Sequence, residues 1–340
     1  LILHGRFIEQ VIDRGQRGTF RKEILVTPGK VPLSIVRKRW AATLGETKPP
    51  VLLIHGFGQN RYAWHLPSRS LANHLARAGF DVYNLDLRGH GRSRALGGSK
   101  RSGKLFDYVA EDLPVALEEV QRHAGPRPVF LVGHSLGGLV SYAAAPQLGA
   151  AVAGIVSIGS PYHFTRGSAP LTAMSYLLQA VSRVGIAPYN APIPVGIWGR
   201  VMRSTHRLAE SRVSPLPIRG WHAGAMEPHI LDEHLRLAFD RAGLVEMLEM
   251  FGWARDGRFF GAASDCAEKF ASLDVPLLVI AGANDDLAPP ASVRPGFLAS
   301  QSRDKTYQVL PLGHIDLLVG RDAPLMTWPL VTRWIATRAA

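Results

Sequence analysis

The chain has 340 residues, 46% of them hydrophobic and 19% charged. That length and apolar share fit one large domain, or a core domain carrying a sizeable insertion, and they exclude wholesale disorder. The net charge of +12 comes with no nucleic-acid motif, and no apolar run approaches the roughly 18 residues a membrane helix needs.

The charge is uneven. Residues 1–50 carry ten Lys/Arg against four Asp/Glu, and residues 276–340 carry six against five. Part of the excess lies in the loop RSRALGGSKRSGK (92–104). A solvated basic face accounts for it, with weak attraction to anionic surfaces as the functional alternative. A single cysteine, Cys266, rules out an intrachain disulfide and fits a reducing compartment. The cytoplasm is therefore the expected location, with export left open for a chain that starts at Leu1. Its first residues, LILHGRFIEQVIDRGQRG, have no apolar core of signal-peptide type.

In chain order, residues 22–28 and 31–40 predict a hairpin turning at Thr27-Pro28-Gly29. The run VLLIHG (51–56) predicts a buried strand. Residues 66–79 predict a helix ending at Gly79. A strand follows at 80–87, a helix at 107–123 and a strand at 128–133. The segment SLGGLVSYAAAPQL (135–148) predicts a helix and 152–160 another strand. Such alternation implies an α/β fold with a mostly parallel sheet and right-handed crossovers. It lapses over 162–272, rich in Pro, Met and aromatics, and resumes with strands at 275–282 and 305–311 and a helix over 323–338. The expected organisation is a core of 1–161 and 273–340, split by a helical cap insertion at 162–272. The insertion leaves and re-enters at the carboxyl ends of strands, where open α/β sheets bind ligands.

The strongest motif is Gly133-His134-Ser135-Leu136-Gly137, followed by Gly138. It fits G-x-S-x-G between an apolar strand and a helix. A sharp turn there would expose the serine hydroxyl, and the flanking glycines would admit close backbone approach. The helix start would aim free N–H groups at developing negative charge. A purely structural Gly/Ser turn is the plainer alternative.

With His55-Gly56-Phe57-Gly58 closing the strand 51–56, the chain resembles the α/β-hydrolase superfamily of serine esterases and lipases. The segment Leu85-Asp86-Leu87-Arg88-Gly89-His90-Gly91-Arg92-Ser93 resembles the D-x-R-G-H-G-x-S loop of many members, usually structural. The resemblance covers about 50–161 and 275–338. It implies Ser135 as nucleophile, with the amides of Phe57 and Leu136 as oxyanion hole. His314, just after the last predicted strand, would be the base. The loop Gly282–Pro289 resembles the family's G-x-x-D-x-x-x-P and selects Asp285 as the orienting acid, with Asp286 as runner-up and Asp316 as a competing partner. His55 and His134 belong to these motifs and are read as shaping their loops. The run 313–320 is also similar to acid lipases and to polyhydroxyalkanoate synthases. Those synthases normally carry cysteine where this chain has Ser135, which argues against polymer synthesis.

The insertion contains Met174, Tyr176, Trp198, Met202, Trp221, Met226, Met247, Met250, Phe251, Trp253, Phe259 and Phe260. These would line an apolar pocket or form the insertion's own core. Leu244, Met247, Leu248 and Phe251 form an amphipathic stripe. No cofactor loop is present, and His229 and His234 lack metal-ligand spacing. The expected activity is hydrolysis of a small, apolar carboxylic ester, with no nucleic-acid partner. Acyl transfer, or cleavage of a thioester, lactone or carbon–carbon bond, would use the same residues, and a non-catalytic ligand-binding role is the remaining class.

Overall fold

A computed structural model describes residues 2–45, 48–97, 104–183, 192–193, 219–256, 259–261 and 264–339. Trp198, Met202 and the middle of the basic loop 92–104 lie outside the described residues. The strands are β1 (Ile2–Asp13), β2 (Gln16–Val26), β3 (Ser34–Trp40), β4 (Lys48–Ile54), β5 (Phe80–Asp86), β6 (Val129–His134) and β7 (Val152–Ile158). The two-residue ladder β8 (Pro192–Ile193) with β9 (Ala242–Gly243) stands apart, and β10 (Leu277–Gly282) and β11 (Lys305–Leu310) complete the main sheet.

The main sheet runs β1-β2-β3-β5-β4-β6-β7-β10-β11. The β1/β2, β2/β3 and β3/β5 pairs are antiparallel, and all pairs from β5 through β11 are parallel. The chain passes from β4 outward to β5, then crosses back to β6 on the other side of β4. In open α/β sheets such a reversal marks where ligands bind, and here it falls at the carboxyl ends of β4 and β6. Residues alternate across β4: Leu52 and Ile54 join the core on one face, Val51 and Leu53 the core on the other.

Several boundaries differ from the sequence expectation. The hairpin expected at 22–40 is one strand short, because β1 precedes it. The β1/β2 turn is Arg14-Gly15, both with positive φ (46° and 77°), the geometry of a two-residue hairpin turn. Arginine is an unusual residue there, and β1 exposes Leu3 and Phe7, so neither turn nor burial signals the strand. The helix expected at 66–79 spans Leu71–Arg77, capped by Ser70 Oγ accepting from Asn73 N at 3.0 Å. Residues 65–70 instead close a local turn that aims Arg69 inward. Buried Arg69 donates to Asp13 at 2.7 Å and, through both terminal nitrogens, to Glu227 at 2.8 and 2.9 Å. The helix expected at 107–123 is a short turn Leu105–Asp107, a π-helical turn Tyr108–Asp112 and a helix Leu113–Ala124. The closing helix is Thr327–Ala336.

Between β7 and β10 lie the helices Ala169–Arg183, Pro228–Leu237, Leu244–Asp256 and Cys266–Ala271. The last packs on the helix Leu136–Leu148 through Phe270 and Tyr142, ring centroids 4.4 Å apart. Met250, Phe259 and Phe260 join the same core cluster. In Leu244–Asp256 the expected stripe is only half-buried. Met250 and the carboxylate of Glu246 go deepest, and Glu246 accepts from Tyr108 Oη and from Gly243 N at 2.9 Å.

His234 on Pro228–Leu237 is fully buried, with neither ring nitrogen partnered among the described residues. Burial pushes its pKa down from 6.5 to about 3. Between those values the unfolded chain holds the extra proton, so this group's contribution is intact above pH 6.5 and declines as pH falls towards 3, by about 1.4 kcal/mol per pH unit. His234→Leu should therefore leave the melting temperature little changed at pH 7, raise it at pH 5, and flatten its dependence on pH between them. An unaltered slope in thermal melts would refute the assignment.

Candidate active site

Ser135 follows β6 directly and precedes the helix Leu136–Leu148. Its backbone has φ 53° and ψ −119°, a left-handed region costly for any residue with a side chain. Ser135 N donates to Ile158 O at 2.9 Å, which ties the turn to the neighbouring β7. The glycines are sterically required. A Cβ on Gly133 would overlap the Gly137–Gly138 peptide, one on Gly137 the Ile54 carbonyl, and one on Gly138 the Ser160 hydroxyl. Leu136 opens the helix, so its amide is among the N–H groups with no intrahelical acceptor.

Phe57 lies in the turn after β4. The carbonyl of Gly56 accepts from His55 Nδ1 at 3.0 Å and from Gln59 N at 3.3 Å. A peptide is planar and trans, so anchoring this carbonyl aims the Phe57 N–H the opposite way. His55 Nε2 accepts from Leu87 N at 3.1 Å. Burial, reinforced by His90, lowers the His55 pKa to about 4, and the neutral ring suits one donor and one acceptor nitrogen. His55 thus shapes the loop.

His314 and Asp285 come together: Nδ1 lies 2.7 Å from Asp285 Oδ2, and both side chains are almost fully buried. The other carboxylate oxygen, Oδ1, accepts from Leu287 N at 2.9 Å and Ala288 N at 2.7 Å. Asp286, the runner-up, is exposed. Asp316, the competitor, uses Oδ2 to accept from Gly313 N at 3.0 Å and His222 N at 2.7 Å, and so holds the histidine loop instead. The His314 pair lies against Gly159, one residue past the Ile158 that anchors Ser135: a Cβ on Gly159 would lie 3.3 Å from His314 Nδ1 and 3.4 Å from Asp285 Oδ2.

Two contacts had no sequence signal. His134 stacks at a tilt on His314, centroids 4.6 Å apart, and its Nε2 lies 3.2 Å from the His314 carbonyl, which can only accept. Gln59 Oε1 accepts from Gly56 N at 3.2 Å and lies 3.3 Å from His134 Nδ1. A neutral imidazole donates through one nitrogen, so His134 serves either Gln59 or His314. Burial, aided by His314, keeps its pKa well below the usual value. These contacts join the Phe57 loop, the serine turn and the histidine loop.

Among the described residues no cluster of His, Cys, Asp and Glu could hold a metal ion, and no helix is long and apolar enough to cross a membrane.

A model of the family described as "alpha/beta hydrolase fold" matches residues 49–320, and the chain belongs to that family. Epoxide hydrolase 3 of Xenopus tropicalis is 29% identical over 127 residues, 37% of this chain and 32% of that protein. Poly(3-hydroxyalkanoate) polymerase subunit PhaC of Haloferax mediterranei is 23% identical over 372 aligned positions, 97% of this chain and 69% of that one. The match thus spans about a third of the epoxide hydrolase and about two thirds of the polymerase subunit. Among solved structures, a thermostable carboxyl esterase from Bacillus coagulans superposes with a TM-score of 0.64 at 16% identity, covering 94% of this chain and 99% of that one. A monoglyceride lipase from Saccharomyces cerevisiae gives 0.62 at 18%, covering 93% and 97%. The expected α/β-hydrolase fold is the one observed.

The glycines at the turn should differ in tolerance. Gly137→Ala meets a backbone carbonyl that cannot yield and should cost about 3 kcal/mol or more. Gly138→Ala meets mainly Ser160 and Ser157 side chains, so it should cost less, and adding Ser160→Gly should recover part of the loss. Chemical denaturation of the three variants tests this order.

Proposed function

We propose that the protein is a serine hydrolase that cleaves carboxylic esters through an acyl-enzyme on Ser135. The observation that carries this reading is the buried 2.7 Å contact between His314 Nδ1 and Asp285 beside the strained serine turn. With Nδ1–H engaged by the carboxylate, Nε2 is the nitrogen free to take the Ser135 proton. The serine oxygen then attacks the ester carbonyl, and the amides of Phe57 and Leu136 hold the oxyanion. His314 returns the proton to the leaving alcohol, and water releases the acyl group by the same route.

The segment 162–272 acts as a cap in this reading. In support, Ile315 N donates to Gly220 O at 2.8 Å and His222 N to Asp316, so part of that segment lies on the histidine loop. A cavity of about 480 Å³ opens beside the acid, lined by Ser168, Arg219, Trp221, His222, Asp285 and Pro289 among others. The 97% coverage against the polyhydroxyalkanoate polymerase subunit supports a second reading, transfer of a hydroxyacyl group to an alcohol.

Hydrolysis of p-nitrophenyl esters of graded chain length, with and without a 3-hydroxyl, tests the proposal. Ser135→Ala should abolish turnover and fluorophosphonate labelling, and Asp285→Asn should lower kcat by about 10³-fold or more. Turnover that survives Ser135→Ala overturns it. Labelling without hydrolysis, joined by product formation when an alcohol is added, selects the transferase reading.

A further inference from the structure

The turn that carries Phe57 is held from outside by a short segment following the helix Pro228–Leu237. Asn60 N donates to Ala238 O at 3.1 Å, Asp240 N to Gly58 O at 2.8 Å, and Asn60 Nδ2 to Leu237 O at 2.9 Å. Between the two backbone bonds, Gln59 and Phe239 form an antiparallel bridge. These bonds grip the residues on the C-terminal side of the Phe57 amide, while His55 and Gln59 N grip the Gly56 carbonyl.

The Asp240 side chain binds the same place to a third element. Its Oδ2 accepts from Gly91 N at 2.6 Å and Asn60 Nδ2 at 3.2 Å, and its Oδ1 accepts from Arg241 N at 2.7 Å and pairs with Arg94. The carboxylate is thus buried and met by donors on both oxygens. Burial pushes its pKa up, but the amides of Gly91 and Arg241 together with His90 and Arg94 hold it below the usual range. Gly91 is confined from its other side, because a Cβ there would overlap the Asp86 carboxylate. Asp86 in turn accepts from Arg61 N at 2.8 Å and Arg92 N at 2.9 Å.

We propose that Asp240 is a positioning residue that fixes the oxyanion loop, and this rests on reading Phe57 as an oxyanion donor. Its carboxylate acts through Asn60 and anchors that loop to the 91–94 turn, beside the bond from its backbone N to the Gly58 carbonyl. Its loss should lower the rate at which the tetrahedral intermediate forms and leave substrate capture largely alone, because the fixed amide is used at the charged step.

The test uses the full chain carrying Asp240→Asn, which places an amide N–H among donors, and Arg94→Met, which removes one partner at a half-exposed position. Two readouts are taken on folded protein: amide hydrogen exchange over 56–60, and kcat and KM for p-nitrophenyl butyrate. Expected for Asp240→Asn are exchange at least ten-fold faster over 56–60, with β10 unchanged, and kcat at least ten-fold lower with KM within three-fold. Arg94→Met should show the same pattern at about a third of that size, and it decides the matter if Asp240→Asn does not fold. Unchanged exchange, or a loosened loop with unchanged kcat, overturns the proposal. A wild-type chain without ester turnover defeats the hydrolase reading instead, and exchange over 56–60 then still decides whether Asp240 holds the loop.

Discussion

The reversal at Ser135 depends on three backbone segments approaching with no side chain between them. β6 ends, the helix Leu136–Leu148 begins, and β4 runs alongside. Gly137 meets the Ile54 carbonyl and Gly133 meets the Gly137–Gly138 peptide at distances that exclude even a methyl group. The positive φ of Ser135 costs roughly 1–3 kcal/mol. That cost is offset because the helix it starts is buried nearly throughout its first ten residues. The same closeness brings Gly56, in the turn after β4, against the Ser135 side chain, so the serine turn and the β4 turn form one packed body.

Around that body, buried polar groups anchor loops. Asp285, Asp86, Asp112 and Asp240 each accept from at least one backbone amide. Their arginine partners come largely from the basic N-terminal half: Arg61 pairs with Asp86, Arg88 with Asp112 and Arg94 with Asp240. The histidines divide by the same logic. His55 is neutral and satisfied on both nitrogens, His134 serves a neighbouring loop, and His314 alone of the three meets a carboxylate.

What the sequence made legible follows from how local the signal is. Strand runs such as VLLI and the glycines around Ser135 act over a few residues, and so the parallel sheet and the serine turn could be read. Motif alignment selects Asp285 over Asp286, and in the structure the amides of Leu287 and Ala288 fold back to the Asp285 Oδ1. The strand β1 was missed because its exposed face carries little apolar periodicity and Arg14-Gly15 is an uncommon turn pair. The helix expected from residue 66 begins later because Arg69 is drawn to Asp13 and Glu227, 56 and 158 residues away in sequence. Contacts of that span leave no local trace. Gln59 and Asp240 were invisible for the same reason, since one glutamine and one aspartate in irregular segments resemble any solvated polar residue.

The segment between β7 and β10 is commonly imagined as a cover laid over a finished site. The hydrogen bonds here argue for more. Gly220 O and His222 N complete the histidine loop, and Ala238 O, Asp240 N and the Asp240 carboxylate complete the loop bearing Phe57. Four of these five groups belong to the backbone, and any residue could supply them provided the chain passes at the right height. Only the carboxylate at 240 needs a particular side chain, because only an acceptor with two oxygens can meet Gly91, Asn60, Arg94 and Arg241 together. Among the described residues, the places where this segment touches the two loops are thus fixed by backbone geometry and one carboxylate.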